Sequence, residues 1–552
     1  MREHWRTHPA DQPRAAALAE QAAVHPVTAQ LLLNRGVASA EDARRFFTPS
    51  LSSLQDPATL PDIDAAIARF RRAIASREPM LLFSDSDVDG LTASVILYEV
   101  LRGLGASITA VQSNRIAEGY GVPGTLLPRI RRRAIRLVIL VDCGTNQPDV
   151  VRQLAADGIE TIIVDHHVPL SGAARPAALV NPHRDSHGPF RELCSAGLAL
   201  KVAQALLGRM DERLAGYLDL AALGTLADCS PLRGDNRVIV SLGVAQIVRS
   251  RRRGLARLCD ETRTREPEPE QIIRRLVPRL NASGRLGDAA AVWHLLCQEA
   301  QEGIEEWLAQ AGAAHAVTKQ LHRQIIAQAQ EQVNRLHFKD EYVMVLSRSG
   351  WPQGLMGPLA TQLSRRYGRP AIAIAMSGQQ GVGSGRSVPL FNLLEALNAC
   401  REVLVQFGGH AQACGLTVDR KHLESFRALV NHQAKTALGP QGLIRSRWVD
   451  FELPLGGIQA DWVEEAQRFA PFGQGNPPPT VAVRGVRIEA ASPRTAMLSD
   501  GTHRVAARGS FSALAEGERY DVLVSPTLAE RRLLLAVSAV RASAGPWEPA
   551  RI

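Results

Sequence analysis

Lysine is nearly missing from this 552-residue chain: five lysines stand among 64 basic residues, and the rest are arginine. So lopsided a ratio points to genome composition rather than to selection for phosphate-gripping forks. The formal net charge of +9 therefore permits attraction to an anionic polymer without demanding it. Aromatic residues make up only 5%, which argues against an extensive base-stacking platform. No uncharged apolar run reaches the roughly 18 residues that a spanning helix requires, which excludes a membrane protein of that kind. The opening MREHWRTHPADQPR is polar and lacks the continuous apolar core of a secretory signal, so a cytoplasmic location is expected. The seven cysteines at 143, 194, 229, 259, 297, 400 and 414 form no C-x-x-C pair. An odd, scattered set argues against a disulfide framework and a thiolate zinc site, and predicts reduced, mostly buried thiols.

What is present is globular composition, with 45% hydrophobic and 22% charged residues. At about 100–200 residues per domain, the length predicts three or four domains. Residues 1–75 are Ala-rich with a helical period, broken by Pro49, Pro57 and Pro61, and read as a helical lead-in. From residue 79, short apolar runs alternate with amphipathic stretches. Met80-Leu-Leu-Phe, Ile108-Thr-Ala-Val, Leu137-Val-Ile-Leu-Val and Thr161-Ile-Ile-Val have strand character, and the segments between them predict βαβ units and a parallel sheet over 76–245. A helical connection is expected over 246–338, with its longest stretch at 287–337, and a smaller α/β segment over 339–445. There Gly383-Ser-Gly-Arg-Ser and Phe407-Gly-Gly-His read as tight turns. After Gly473-Gln-Gly-Asn-Pro-Pro-Pro, alternating runs predict a small β-barrel within 446–552.

The chemistry concentrates at strand ends. Ser84-Asp-Ser-Asp-Val-Asp-Gly places Asp85, Asp87 and Asp89 just after the first strand; Asp142 follows Leu137–Val141, and Asp165-His166-His167 follow Thr161–Val164. Carboxyl ends of parallel strands line one crevice in such sheets. Asp228 ends a further apolar helical run. So many carboxylates together would repel one another and protonate in part unless cations neutralised them. A metal cluster is the simplest explanation. Imidazoles beside carboxylates shift the preference toward Mn²⁺ without excluding Mg²⁺ or a transition metal, and two ions about 3.5–4 Å apart could clamp a scissile phosphate. A calcium loop is excluded by Ile96, which stands where an EF-hand needs its late Glu. The basic runs Arg129-Ile-Arg-Arg-Arg and Arg251-Arg-Arg fit either a nucleic-acid path or a solvated surface.

Asp85-Ser-Asp-Val-Asp-Gly, Asn114-Arg-Ile-Ala-Glu-Gly-Tyr-Gly, Val141-Asp-Cys-Gly, Asp165-His-His and Leu223-Gly-Thr-Leu-Ala-Asp resemble, in this order, the motifs of the DHH phosphoesterase superfamily. Arg279-Leu-Asn-Ala-Ser-Gly-Arg, Gly383-Ser-Gly-Arg-Ser and Phe407-Gly-Gly-His-Ala-Gln-Ala-Cys-Gly-Leu resemble its RecJ branch, the single-strand-specific exonucleases. Leu33-Asn-Arg-Gly-Val, Asp56-Pro and Pro471-Phe-Gly-Gln-Gly-Asn-Pro are similar to that branch too, so the likeness spans about residues 25–480. It implies a DHH domain joined by a helix to a DHHA1 domain around a cleft, with a C-terminal OB-fold completing a narrow passage. By the same resemblance Asp85, Asp87, Asp89, Asp142, His166, His167 and Asp228 are metal-site residues, and Asp165 orients a histidine. Arg115, Arg279, Ser384 and Arg386 match positions that hold a 5′ phosphate, and Arg285 and His410 belong to the same cleft. Ser84, Ser86, Cys143 and Pro352 depart from the branch pattern without removing a metal-site residue.

The activity this implies is hydrolysis of single-stranded DNA from a 5′ end to mononucleotides in repair and recombination, with two divalent ions, Mn²⁺ before Mg²⁺. The expected enzyme is a monomer with no membrane association, and a single-strand-binding protein and a helicase are candidate partners. Two rivals stay open: a phosphodiesterase for short oligonucleotides or cyclic dinucleotides, and a non-catalytic nucleic-acid-binding scaffold. The lead-in and the C-terminal β-domain count against the first, and the intact acidic and histidine set counts against the second.

Overall fold

A computed structural model of the chain describes residues 3–543, apart from 120, 171, 210, 298–301, 440–444 and 513. Tyr120 in the Asn114–Gly121 motif and residues 298–301 in the expected helical connection therefore lie outside the described residues. The chain divides into two compact units: Leu54–Ser230 with Gly234–Ile444, and Met1–Ser53 with Pro231–Arg233 and Arg445–Ile552.

The larger unit holds two sheets. The first is wholly parallel, in the order Ile108–Gln112, Met80–Ser84, Leu137–Val141, Glu160–Val164, Ala178–Val180. Every residue of Met80–Ser84 and Leu137–Val141 is buried, as a strand covered on both faces requires. The chain leaves the Met80–Ser84 strand toward one edge and afterwards builds toward the other, so a crevice opens at the carboxyl ends where the order reverses. Helices Arg253–Thr262, Pro269–Arg275, Val277–Leu286 and Ala290–Leu296 follow. The 30-residue helix Ile304–Val333 then runs about 45 Å to the second sheet.

That sheet is mixed, in the order Gln406–Gly409, Ala413–Asp419, Gln380–Arg386, Ala371–Ser377, Met344–Ser349. It corrects one sequence expectation. Gly383-Ser-Gly-Arg belongs to a strand rather than a tight turn, and Phe407-Gly-Gly ends another strand, the turn falling after it. The glycines serve close packing: a Cβ on Gly383 would lie 2.8 Å from Ile374, and one on Gly385 2.5 Å from Leu393.

In the smaller unit, Val481–Glu489, Thr495–Ser499, Arg504–Arg508, Arg532–Ala542 and Arg519–Ala529 pair in sequence around a ring, which closes where Val481–Glu489 meets Arg519–Ala529. The pairing of Arg504–Arg508 with Arg532–Ala542 is parallel and the other ring pairings are antiparallel, which is the five-stranded barrel of an OB-fold. The lead-in does not start as a helix: Glu3–Thr7 is a strand paired in parallel with Arg445–Val449. Helices Gln12–Ala22 and Pro26–Asn34 share the barrel's core through Leu18, Leu31 and Leu32, packed with Trp462, Phe469 and Val483. Arg35 is buried against Asp450, donating to both carboxylate oxygens.

Six of the cysteines are buried and Cys229 is exposed. Among the described residues no helix is long and apolar enough to cross a membrane.

Candidate metal centre

The D-x-D-x-D spacing gives each acid a different local task. Asp85 directly follows the strand and is buried; its Oδ1 accepts from the Ser86 N–H at 2.8 Å, the Ser113 hydroxyl at 3.0 Å and Arg115 Nε at 2.6 Å. Asp87 caps the helix Val88–Gly103, accepting the Gly90 N–H at 3.2 Å. Asp89, in the first turn of that helix, accepts the N–H groups of Ser195 and Ala196, both at 2.8 Å. Those two residues open the helix Ser195–Leu207, so the carboxylate sits at the positive end of a helix dipole.

Asp142 leaves its strand in the left-handed region, at φ 60°. It accepts the Ser195 hydroxyl at 2.9 Å, and His166 Nε2 lies 3.5 Å away. Asp165 accepts the N–H groups of Thr145 and His167 and pairs with His167 Nδ1 at 2.7 Å. A carboxylate on Nδ1 fixes the tautomer and leaves Nε2 for the crevice.

Donor atoms of Asp89, Asp142 and His166 lie within 4.8 Å of one another; so do those of Asp142, Asp165 and His167, of Asp85, Asp87 and Asp142, and of His166, His167 and His410. Burial and the neighbouring charges of Asp142 and Asp228 push the Asp87 carboxyl up to about 7. Burial and Asp228 likewise push Asp89 up to about 6, and burial with Asp89 raises Asp142. Burial opposes the protonated forms of His166 and His167, yet the surrounding carboxylates override it and raise both. Asp165 moves the other way: burial opposes its charge, but His167 holds it well below the usual carboxylate range. Buried acids that retain protons for want of a counter-charge, with imidazoles at hydrogen-bonding range, fit a divalent cation that prefers oxygen and tolerates nitrogen.

The second sheet contributes from across the cleft. His410 stacks on His167 with ring centroids 5.3 Å apart and lies 5.6 Å from His166. Its buried Nε2 has no hydrogen-bond partner among the described residues, and burial together with the two histidines pushes its pKa down to about 3. Arg115 donates through Nη2 to Asp87 at 3.1 Å. Arg285 and Arg386 are half-buried, and after burial itself the charge of Arg115 lowers the pKa of each. Helix Val277–Leu286 delivers Arg285 by pressing on the acidic loop: Asn281 accepts the Val88 N–H at 3.1 Å, and a Cβ on Gly284 would meet the Ser86 carbonyl at 2.4 Å. Ser384 lies in the strand that carries Arg386.

Two expected members stand apart. Asp228 is exposed, caps its helix and accepts the Ser230 hydroxyl; it acts on Asp87 and Asp89 by charge but joins none of the close donor sets. Arg279 pairs with Glu261. Several contributors were not singled out from sequence. Ser195 holds Asp142 and Asp89, and Asn181 clasps the His167 carbonyl at 2.9 Å. His183 brings a fourth imidazole, 6.3 Å from His410, with its pKa pushed down to about 4 by burial and His166. The Asn181-Pro-His run directly after a strand was the available signal for two of them.

Residues 79–225 match the DHH family, N-terminal domain, residues 340–436 the DHHA1 domain, and residues 449–504 the RecJ OB domain. The chain is 33% identical to the single-stranded-DNA-specific exonuclease RecJ of Bacillus subtilis over 493 residues, covering 88% of this chain and 62% of that one. It is 31% identical to RecJ of Thermus thermophilus over 489 residues, covering 87% and 68%. It thus spans rather less than two thirds of the Bacillus relative's length. The crystal structure of RecJ in complex with Mn²⁺ from Thermus thermophilus superposes with a TM-score of 0.83 at 25% identity, covering 99% of this chain and 80% of that one.

Proposed function

The chain belongs to the RecJ family, and from that premise we propose that it is a metal-dependent exonuclease that hydrolyses single-stranded DNA from the 5′ end to 5′-mononucleotides, in DNA repair and recombination. The observation that carries the reading is the meeting of two groups in one cleft: the carboxylate–imidazole sets around Asp142, and the guanidinium groups of Arg115, Arg285 and Arg386.

Asp85, Asp87, Asp89, Asp142, His166, His167 and Asp228 would hold two divalent cations, Mn²⁺ in preference to Mg²⁺ because imidazole joins the carboxylates. Such cations, when bound, supply Lewis-acid activation of water and neutralise charge on the scissile phosphate. The protein's own groups do the positioning. Asp165 holds the Nδ1 side of His167, and the first N–H groups of helix Ser195–Leu207 hold Asp89. The Ser195 hydroxyl fixes the Asp142 carboxylate. Planar guanidinium forks from Arg115, Arg285 and Arg386 grip a terminal 5′ phosphate bidentately, Arg279 would join them only on leaving Glu261, and the Ser384 hydroxyl and the neutral His410 imidazole donate to phosphate oxygens.

The same reading takes 76–245 as the DHH domain, 246–338 as the connection, 339–445 as the DHHA1 domain and 446–552 as the OB-fold domain, with 1–75 leading in. The exposed Arg494, Arg504 and Arg508 of the barrel would add salt-dependent affinity for a long strand. A monomeric, cytoplasmic enzyme working beside a helicase and a single-strand-binding protein completes the picture.

Digestion of end-labelled single-stranded and duplex DNA with Mn²⁺, Mg²⁺ or chelator tests it. Release of mononucleotides from the 5′ end of single strands, abolished by chelator, is expected. Activity confined to dinucleotides or cyclic dinucleotides, or none with either ion, would sink the proposal.

A further inference from the structure

The strands Glu3–Thr7 and Arg445–Val449 form a two-stranded parallel ribbon, with Trp5 opposite Arg447, Arg6 opposite Trp448 and Thr7 opposite Val449. Side chains of paired residues point the same way in such a ribbon, and successive residues alternate faces. One face is anchored: Val449 is buried with Ala482 and Leu523, Trp5 packs on them, and the Arg541 guanidinium lies 4.0 Å over the Trp5 ring. The other face carries Arg6 and Trp448 into solvent.

Trp448 is 57% exposed, the one aromatic among the large exposed hydrophobics of the described residues. Its ring is already half-fixed, since His8 packs against it with centroids 4.8 Å apart at 32°. His4, Arg6 and His8 recur at every second residue, about 6.6 Å apart along the strand, close to the phosphate repeat of an extended polynucleotide. His4 and Arg6 are exposed, and Arg6 makes no ion pair among the described residues. Leaving an indole that open has no benefit to this unit's own core. Beside the exposed Arg6 guanidinium it matches a base to stack on and a phosphate to hold. Trp448 and the Glu3–Thr7 strand lie outside all three matched domains.

We infer that this ribbon is a stacking site for single-stranded nucleic acid, with a base on Trp448 and the adjoining phosphate on Arg6. The inference rests on the proposed single-stranded substrate and adds to it a contact in the other compact unit. Because stacking ignores base identity, the site is sequence-tolerant.

The test uses the full chain. Binding of a labelled long single strand is measured by anisotropy in chelator across a salt series, and hydrolysis of a trinucleotide is measured with Mn²⁺. Trp448→Ala should weaken long-strand binding about 5- to 150-fold, the range for loss of one stacked base, while Trp448→Phe keeps most of it. Arg6→Ala should flatten the salt dependence by about 0.7 in log–log slope, one phosphate's worth for a single strand. Trinucleotide hydrolysis should match the parent in all three variants. Long-strand binding by Trp448→Ala as tight as the parent's overturns the inference, as does a Trp448→Ala variant that alters only self-association. If Trp448→Ala melts below the parent, quenching by the strand of the fluorescence that Trp448→Phe removes decides the matter, and its absence is also a refutation. A parent that binds single strands through Trp448 but digests none refutes the exonuclease reading and leaves this site standing.

Discussion

Asp142 offers the sharpest test of the metal centre, because its charge and its backbone can be perturbed separately. The residue is 2% exposed, sits at φ 60°, and has donor atoms of Asp85, Asp87, Asp89, Asp165, His166 and His167 among its close sets. Asn keeps the volume and tolerates the left-handed conformation, whereas Ala there costs about 1–2 kcal/mol. At an effective dielectric of about 20, one contact between full like charges 4.8 Å apart, the outer limit of these sets, is worth about 3.5 kcal/mol, so Asp142→Asn relieves real repulsion. Against that, the bond from Ser195 falls from a charged to a neutral acceptor, a loss of about 1 kcal/mol. In chelator Asp142→Asn should therefore melt at or above the parent. Asp142→Ala carries the backbone strain and also strands the buried Ser195 hydroxyl, about 1–3 kcal/mol more. It should melt below Asp142→Asn by roughly 4–20 °C, at about 2–4 °C per kcal/mol for a large domain. Excess Mn²⁺, at about 100 times its dissociation constant, should raise the parent's stability by about 2.7 kcal/mol, and most of that gain should vanish in both variants together with hydrolysis. Thermal melts with and without Mn²⁺, paired with digestion of labelled single strands, read all of this. An Asp142→Asn enzyme with near-parental turnover, or with the parent's full metal-dependent shift, would refute the assignment.

Three further outcomes are expected. With metal removed, the raised carboxyls of Asp87, at about 7, and Asp89, at about 6, and the raised histidines 166 and 167 all make the folded form bind more protons than the unfolded one. Stability should then fall as pH rises from about 4 through 7, and Mn²⁺ should flatten the slope by displacing those protons; melts of chelated protein that climb toward pH 8 would contradict this. Arg386→Ala should narrow the preference for a 5′-phosphorylated over a 5′-hydroxyl strand by about 10- to 100-fold, the worth of a hydrogen bond to a charged group, and equal cleavage from 3′ ends by the parent would contradict the polarity. Arg35→Ala leaves Asp450 buried without its cation, which should destabilise the unit holding the barrel by about 3–5 kcal/mol while short oligonucleotides are still hydrolysed; an unchanged denaturation curve would show that this pair does not join the lead-in to the barrel.

Four strands of the first sheet and the acids at their carboxyl ends were legible from residues 79–167 alone, because run length, alternation and the position of an Asp after an apolar run are local properties; the fifth, Ala178–Val180, is too short to show a pattern. The barrel strands could be read for the same reason, except Thr495–Ser499, which is short and weakly alternating. Patterns failed where a residue's role depends on what packs against it from far along the chain. Glycines at 383 and 385 looked like turn formers, yet they are small because Ile374 and Leu393 leave no room for a Cβ. The lead-in over 1–75 read as a separate helical segment, but it divides: through Ser53 it belongs to the barrel's unit, where Arg35 meets Asp450 and Phe46 and Phe47 meet Phe469, and from Leu54 onward it belongs to the larger unit. Truncation near residue 450 would therefore strip the lead-in of its packing partners as well as removing the barrel. Sequence alone determined which side chains could bind a cation; tertiary structure decided that Ser195 and a helix N-terminus hold them, that His183 and His410 join the imidazoles, and that Arg279 pairs with Glu261. Those relations are contacts between residues tens to hundreds of positions apart, set by how packed elements approach one another, and no local period in the chain encodes them.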